Sequence, residues 1–235
     1  MSTSSAPSAP DDATTTGVTG DPGIRWAGLA GMAFAVSVVV QNVWSNAVGV
    51  LPDPDADAAG VLEAFADAGS AAGVLVSWVA VNLALLVLFI SGAHQRYRAA
   101  APTAATVGLV GGVLLAAIFS MLQLPVVALA VGGDALAGDA GLVSTLWAIH
   151  GALFAFSGIA LGLALAGLSI AAVRAGLAPR WIRPVGLVGA AVIWLASVPV
   201  QAAAEGEPAT LVGVVGFLAW LLFLLVAGNR LRQEI

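Results

Sequence analysis

The chain has 235 residues, of which 60% are hydrophobic and 9% are charged. A water-soluble domain carries about 25% charged residues, so this composition excludes a soluble enzyme and indicates a polytopic membrane protein. The net charge of −5 offers no cationic surface to nucleic acid, and the lack of cysteine excludes disulfides, thiolate nucleophiles and cysteine-ligated metals.

The first 23 residues are rich in Ser, Thr, Pro, Asp and Gly and contain no apolar run. Such a segment cannot bury enough apolar surface to offset the entropy of ordering, so residues 1–23 are predicted to form a disordered tail. The tail also lacks the basic start and apolar stretch of a secretory signal. The first membrane helix is therefore expected to stay on the mature protein.

Six apolar segments follow the tail. A helix needs about 20 apolar residues to cross the hydrocarbon, where it must satisfy its own backbone hydrogen bonds. The predicted spans are 24–47, 71–92, 104–131, 142–173, 184–203 and 210–228. The sequence thus predicts an all-α fold, a six-transmembrane-helix bundle over residues 24–229, with a short C-terminal end at 230–235.

The charged residues fall on opposite sides of this bundle. One side receives all the basic residues, which are Arg25, Arg96, Arg98, Arg174, Arg180, Arg183, Arg230 and Arg232. The other side receives Asp53, Asp55, Asp57, Glu63, Asp67, Asp134, Asp139, Glu205 and Glu207. The positive-inside rule makes the arginine side cytoplasmic, so we expect a multi-pass protein of the cell membrane with both termini in the cytoplasm.

The longest outer loop, over residues 49–70, is predicted to contain a short amphipathic helix. Asp55 or Asp57 can cap it, and apolar residues recur at helical spacing at Val61, Leu62, Phe65 and Ala68. Its acidic face disfavours anionic lipid, so one expectation is a lid packed over the bundle. The alternative is a solvated linker.

Glycine pairs inside the spans indicate close helix packing. Gly108 with Gly112, and Gly158 with Gly162, are small residues four positions apart, a spacing that lets the backbones of two helices approach. We interpret them as packing positions and assign them no role in binding phosphate.

Polar residues inside the spans are concentrated near the acidic side. Because polar groups are costly in hydrocarbon, their positions are the best pointers to a functional site. We predict an outward-facing polar vestibule lined by Gln41, Asn42, Asn46, Trp78, Asn82, Gln123, Trp147, His150 and Gln201. The inner halves of the spans are nearly free of polar groups, which disfavours a polar path through the membrane.

His150 is the only titratable residue within a predicted span. It shares one helical stripe with Trp147, Phe154, Ser157 and Leu161, which is expected to bring it against Gln41, Gln123 or Asn82. Two interpretations stay open: a neutral imidazole hydrogen-bonded to one of those amides, or a group that couples protons or binds a ligand. His94 lies at the opposite end of the bundle, so the two histidines cannot share a haem iron. No metal or other cofactor is predicted.

Two stretches resemble a known kind of protein. LWAIHGALFAFSG from Leu146 and GLAPRWIRPVGLVGA from Gly176 resemble uncharacterised six-span bacterial membrane proteins classed as domains of unknown function. The resemblance implies the six-span fold and topology, and it implies no activity or site residue.

Three functions remain. The leading hypothesis is a non-enzymatic binding or sensory-accessory protein whose vestibule accepts a small amphiphile or a partner membrane helix, with membrane lipid around it. The alternative is a small secondary transporter with His150 as the proton-coupling group. An intramembrane enzyme acting on lipid is least favoured, because the sequence contains no GxSxG elbow and no HExxH pair.

Overall fold

The computed structural model describes residues 21–197 and 209–233, which form seven α-helices and no strand. The helices are α1 (Pro22–Val48), α2 (Ala58–Ala68), α3 (Ala71–Tyr97), α4 (Pro102–Leu136), α5 (Ala140–Arg174), α6 (Ile182–Ser197) and α7 (Ala209–Gln233). The predicted all-α fold is confirmed. Residues 1–20 of the predicted tail lie outside the described residues.

The described helices have the lengths and composition of membrane spans. Five of them, α1, α3, α4, α5 and α7, are long and apolar enough to cross a bilayer, and α6 is a shorter apolar helix of 16 residues. Large apolar side chains face outward from them, among them Val43 (66% exposed) and Leu195 (71% exposed). Such an apolar outer surface requires lipid as its solvent, so the chain is an integral membrane protein.

The helices extend beyond the predicted apolar segments at most ends. α1 begins at Pro22, because the Asp21 carboxylate accepts a hydrogen bond from the Gly23 amide at 2.8 Å and proline fits the first helical turn. Residues 22 and 23, which were expected in the tail, are therefore helical. α3 likewise continues past residue 92 to Tyr97, since a helix does not need apolar side chains once it has left the hydrocarbon.

The six apolar helices form a ring in chain order. Each of α1, α3, α4, α5, α6 and α7 packs against the next, and α7 returns to α1. All eight arginines lie at one end of this ring, which we call the arginine end. The opposite end carries Asp53, Asp55, Asp57, Glu63, Asp67 and Asp139, and we call it the acidic end.

Glycines bring neighbouring helices of the ring into backbone contact. A Cβ at Gly167 of α5 would collide with the backbone of Gly108 on α4, and a Cβ at Gly111 would collide with the backbone of Ala164 on α5. α1 and α7 meet in the same way at Gly28 and Gly228, near the arginine end. Close van der Waals packing at these small residues therefore contributes to holding the neighbouring helices together.

The predicted amphipathic helix in the first loop is confirmed as α2. Its N-cap is Asp57, whose carboxylate accepts a hydrogen bond from the Gly60 amide at 2.8 Å. Val61 and Phe65 are buried, and the helix packs over α3, α4 and α5 at the acidic end. The Phe65 ring meets the Trp147 ring edge-on, with the centroids 6.2 Å apart. α2 thus covers one side of the ring instead of forming a solvated linker.

Candidate functional site

A central cavity of about 350 Å³ lies inside the ring. Residues from all six apolar helices line it, whereas α2 contributes none. On α1 the lining runs from Phe34 to Ser45, on α3 from Leu75 to Leu86, on α4 from Leu115 to Val126 and on α5 from His150 to Leu161. Each of these stretches covers eleven residue steps, or about 16 Å at 1.5 Å per residue.

The cavity occupies the half of the ring near the acidic end. Its deepest residues include Phe34, Leu86, Leu115 and Leu161, which belong to the buried apolar core that continues toward the arginine end. A volume of about 350 Å³ over a length of about 16 Å gives a mean cross-section of about 20 Å². That is close to the cross-sectional area of a single extended hydrocarbon chain.

The lining is mostly apolar and carries no charge. Of the 29 lining residues, the 8 with polar side chains apart from tryptophan are Gln41, Asn42, Ser45, Asn82, Gln123, His150, Ser157 and Ser197. Gln41, Asn42, Gln123 and His150 lie in the part of the cavity nearer the acidic end, and Asn82 lies near mid-depth, above an apolar floor. This combination of an apolar body with a few convergent polar groups is typical of small-molecule sites.

Asn82 and Gln41 form a hydrogen bond between α3 and α1. The Asn82 Nδ2 donates to Gln41 Oε1 at 2.6 Å, and Asn82 is 3% exposed. In a bilayer this bond satisfies two polar groups that lipid cannot hydrate. Because the nitrogen of Asn82 is used in this way, its oxygen is the atom left to interact with anything in the cavity.

His150 makes a different contact from the one expected. It was predicted to lie against Gln41, Gln123 or Asn82, but its Nδ1 lies 3.2 Å from the backbone carbonyl oxygen of Leu122 on α4. Since a carbonyl oxygen can only accept, the neutral ring carries its hydrogen on Nδ1 and presents Nε2 as an acceptor. The expected amide partners are occupied elsewhere, Asn82 with Gln41 and Gln123 with its own helix.

Trp147 holds His150 in place from outside the cavity. The two rings are stacked, with centroids 4.6 Å apart and planes 6° apart. The Trp147 Nε1 donates to the backbone carbonyl of Asp53 at 3.1 Å, in the segment before α2. Trp147 therefore connects the α2 segment to one wall of the cavity.

Three buried polar atoms of the lining have no hydrogen-bond partner among the described residues. They are Asn82 Oδ1, Gln123 Oε1 and Trp220 Nε1. The Gln123 nitrogen donates to the Phe119 carbonyl at 3.4 Å, which leaves its oxygen as the free acceptor. An unpaired polar atom in a membrane interior costs several kcal/mol, so these atoms mark places where a bound molecule would be stabilised.

The remaining candidates from the sequence lie in three different places. Asn42 lines the cavity, whereas Asn46 is exposed and donates to the Asn42 carbonyl at 2.7 Å. Trp78 lies outside the cavity and donates to Ser37 Oγ at 2.8 Å. Gln201 lies outside the described residues.

Ser157, Ser197 and Trp220 line the cavity but were not among the residues predicted for it. Ser157 could have been added from its place on the His150 stripe. The hydroxyls of Ser157 and Ser197 donate to carbonyls of their own helices, at 2.6 and 2.8 Å. Trp220 is fully buried on α7, and nothing in an apolar span signals whether an indole N–H has a partner.

The fold and the cavity define a polytopic helical membrane protein with an uncharged internal site. Its family is known from sequence: the chain belongs to the family described as domain of unknown function DUF4386, which matches residues 26–228. This agrees with the resemblance to uncharacterised membrane proteins. No curated protein and no solved structure is similar to the chain.

Proposed function

We propose that this protein binds a neutral, single-chain amphiphile in the central cavity, without chemical conversion, as a binding or sensory-accessory protein of the membrane. The observation that carries the proposal is the cavity itself, with polar groups toward the acidic end and an apolar floor. The amphiphile's head would lie near Gln41, Asn82 and His150, and its chain would run down toward Leu161.

The chemistry of the lining supports a neutral head group that donates hydrogen bonds. The lining contains no charged residue, so burial of a charged head would go uncompensated. The buried lining atoms above the floor that lack a partner are the acceptors Asn82 Oδ1 and Gln123 Oε1. A neutral His150 ring that donates through Nδ1 adds Nε2 as a third acceptor. A hydroxyl or an amide N–H matches them.

The dimensions favour a hydrocarbon chain over a partner helix. A helix with its side chains is about 10 Å across, which is a cross-sectional area of about 80 Å². That is far larger than the mean cross-section of the cavity, about 20 Å². The apolar floor also favours binding over transport, because a transport path needs polar groups at every depth. We therefore prefer the amphiphile over the partner helix and over the proton-coupled transporter.

The distribution of charge supports an orientation. Arginines at the ends of membrane helices favour the cytoplasmic side, so we propose that the arginine end and both termini face the cytoplasm. The cavity would then open toward the outside of the cell membrane, and α2 would lie on the outer surface.

Site-specific labelling tests this orientation, and the lack of native cysteine makes it simple. We introduce Ala59→Cys on the exposed side of α2 and Ala99→Cys in the turn before α4. In intact cells a membrane-impermeant maleimide is expected to label Ala59→Cys, and to label Ala99→Cys only after the membrane is permeabilised. The reverse pattern would invert the proposed orientation.

Filling the cavity tests the binding proposal. Ala155 is buried and lines the cavity, so Ala155→Phe places a phenyl ring where the chain of the ligand would lie. Each displaced methylene loses about 0.8 kcal/mol of burial. If the ring displaces about three or four methylenes, the affinity for tetradecanol is expected to fall by about a hundredfold. Native mass spectrometry of the detergent-purified full chain measures how much tetradecanol is retained.

The matched control is Ala80→Phe, which adds the same ring to the exposed outer face of α3. It is expected to retain tetradecanol as the wild type does. The proposal fails if the wild type retains no tetradecanol, or if Ala155→Phe binds it as tightly as Ala80→Phe.

A further inference from the structure

We infer that the bound amphiphile carries a second oxygen at the far end of its chain, which accepts a hydrogen bond from the indole N–H of Trp220. This inference rests on the proposed function and specifies its ligand class. The proposed ligand then has a polar group at each end of its hydrocarbon chain, and not only at the head.

Trp220 lies near the floor of the cavity. It is fully buried on α7, where its ring packs on Phe223 with centroids 5.8 Å apart, in the same core as Phe34 and Leu86. Phe34 and Leu86 mark the deep end of the cavity. This end lies about three helical turns below the level of His150 on α5. A chain whose head lies near His150 therefore brings its other end to the level of Trp220.

The indole nitrogen of Trp220 has no hydrogen-bond partner among the described residues. Buried indole N–H groups usually have one, and the chain itself provides it for three other tryptophans. Trp78 donates to Ser37, Trp147 donates to the Asp53 carbonyl and Trp194 donates to the Ile159 carbonyl. Trp220 differs from them in lining the cavity, so a molecule in the cavity can supply the missing acceptor.

The two ends of the cavity select opposite hydrogen-bonding roles. Above the floor the buried atoms without a partner, Asn82 Oδ1 and Gln123 Oε1, are acceptors and call for a donor on the ligand head. An indole N–H is only a donor, so it calls for an acceptor such as an ether, carbonyl or hydroxyl oxygen. A ligand with a donating head and an accepting far end satisfies both ends at once.

A pair of isosteric ligands tests this inference on the full-length wild-type protein. One is tetradecanol, and the other is the methyl ether in which an oxygen replaces the methylene next to the terminal methyl group. A buried ether oxygen without a donor weakens binding, whereas one bonded to Trp220 strengthens it. We expect the wild type to bind the ether about fivefold more tightly than tetradecanol, relative to their partitioning into protein-free micelles.

Trp220→Phe keeps the aromatic ring and removes the N–H. We expect it to abolish the preference for the ether, so that the ether binds no more tightly than tetradecanol relative to their partitioning into protein-free micelles. The control is Trp194→Phe, since the Trp194 Nε1 donates to the Ile159 carbonyl at 3.1 Å and the residue lies outside the cavity lining. That variant is expected to keep the wild-type preference.

The outcomes separate this inference from the proposed function. Equal binding of both ligands by the wild type, or a preference for tetradecanol, overturns the inference and leaves the proposed function standing. A preference for the ether that survives in Trp220→Phe also overturns it. If the wild type binds neither ligand, the proposed function fails and the inference fails with it. Should Trp220→Phe not fold, the relative affinity of the wild type for the two ligands still decides whether the inference holds.

Discussion

Replacing Gly167 with alanine is expected to destabilise the bundle by about 1–3 kcal/mol, the usual cost of overpacking a well-packed interior. A Cβ at this position would lie 2.7 Å from the Ala104 carbonyl oxygen and would collide with the backbone of Gly108. Both obstacles are backbone atoms of α4, so no side-chain rotation can relieve the clash. α4 and α5 would have to move apart, and their contact is the most extensive in the ring.

The measurement is the free energy of unfolding of the detergent-purified protein. Circular dichroism monitors the unfolding during titration with a denaturing detergent. The control is Gly73→Ala on α3, where a new Cβ meets nothing within 4 Å. Alanine has the higher helix propensity, so this variant is expected to be unchanged or more stable by up to about 1 kcal/mol. Equal stabilities for the two variants would show that the backbone contact between α4 and α5 contributes little.

The membrane fold was predictable because its signals are local. An apolar run of sufficient length specifies a span, and the cap at Asp57 followed by Val61 and Phe65 specifies α2. The glycine pairs correctly indicated close packing, but not which helices meet. Gly108 and Gly112 lie four residues apart on α4, yet a Cβ at Gly108 would strike Leu168 on α5 and a Cβ at Gly112 would strike Ile90 on α3.

The candidate site was predictable only in outline. Polarity near the acidic end and the stripe on α5 were visible in the sequence, and His150, Phe154, Ser157 and Leu161 of that stripe all line the cavity. The hydrogen-bond partners were not visible. The partner of His150 is a backbone carbonyl, a group that every residue carries, and Asn82 could have bonded to any of several amides. Such pairings depend on helix rotation and depth, which hydropathy does not specify.

The proposed function would give the Asn82–Gln41 hydrogen bond a second role, because both residues line the cavity. A bond between two buried amides holds α1 against α3, but two leucines could pack there at similar cost. Removing both partners of a buried polar pair is often nearly neutral, whereas removing one leaves the other unsatisfied. If this hydrogen bond serves stability alone, replacing both residues with leucine should leave ligand binding unchanged. If it also binds the head of the amphiphile, the replacement must lose binding.

We therefore expect stability and binding to separate in a cycle of variants. Asn82→Leu alone leaves Gln41 without its donor and is expected to lower the free energy of unfolding by about 1–3 kcal/mol. Adding Gln41→Leu is expected to return stability close to that of the wild type, while the affinity for tetradecanol stays about tenfold or more below the wild-type value, because the head has lost its polar contacts.

The control is a second hydrogen bond between the same two helices, outside the cavity. Trp78 Nε1 donates to Ser37 Oγ at 2.8 Å, and the double variant Trp78→Phe with Ser37→Ala removes it while leaving the cavity lining intact. Tetradecanol binding, measured by native mass spectrometry, is expected to persist in that variant and to be lost in Asn82→Leu with Gln41→Leu. Wild-type affinity in the leucine pair would assign Asn82 and Gln41 to packing alone, and the head group would then have to be held by Gln123 and His150.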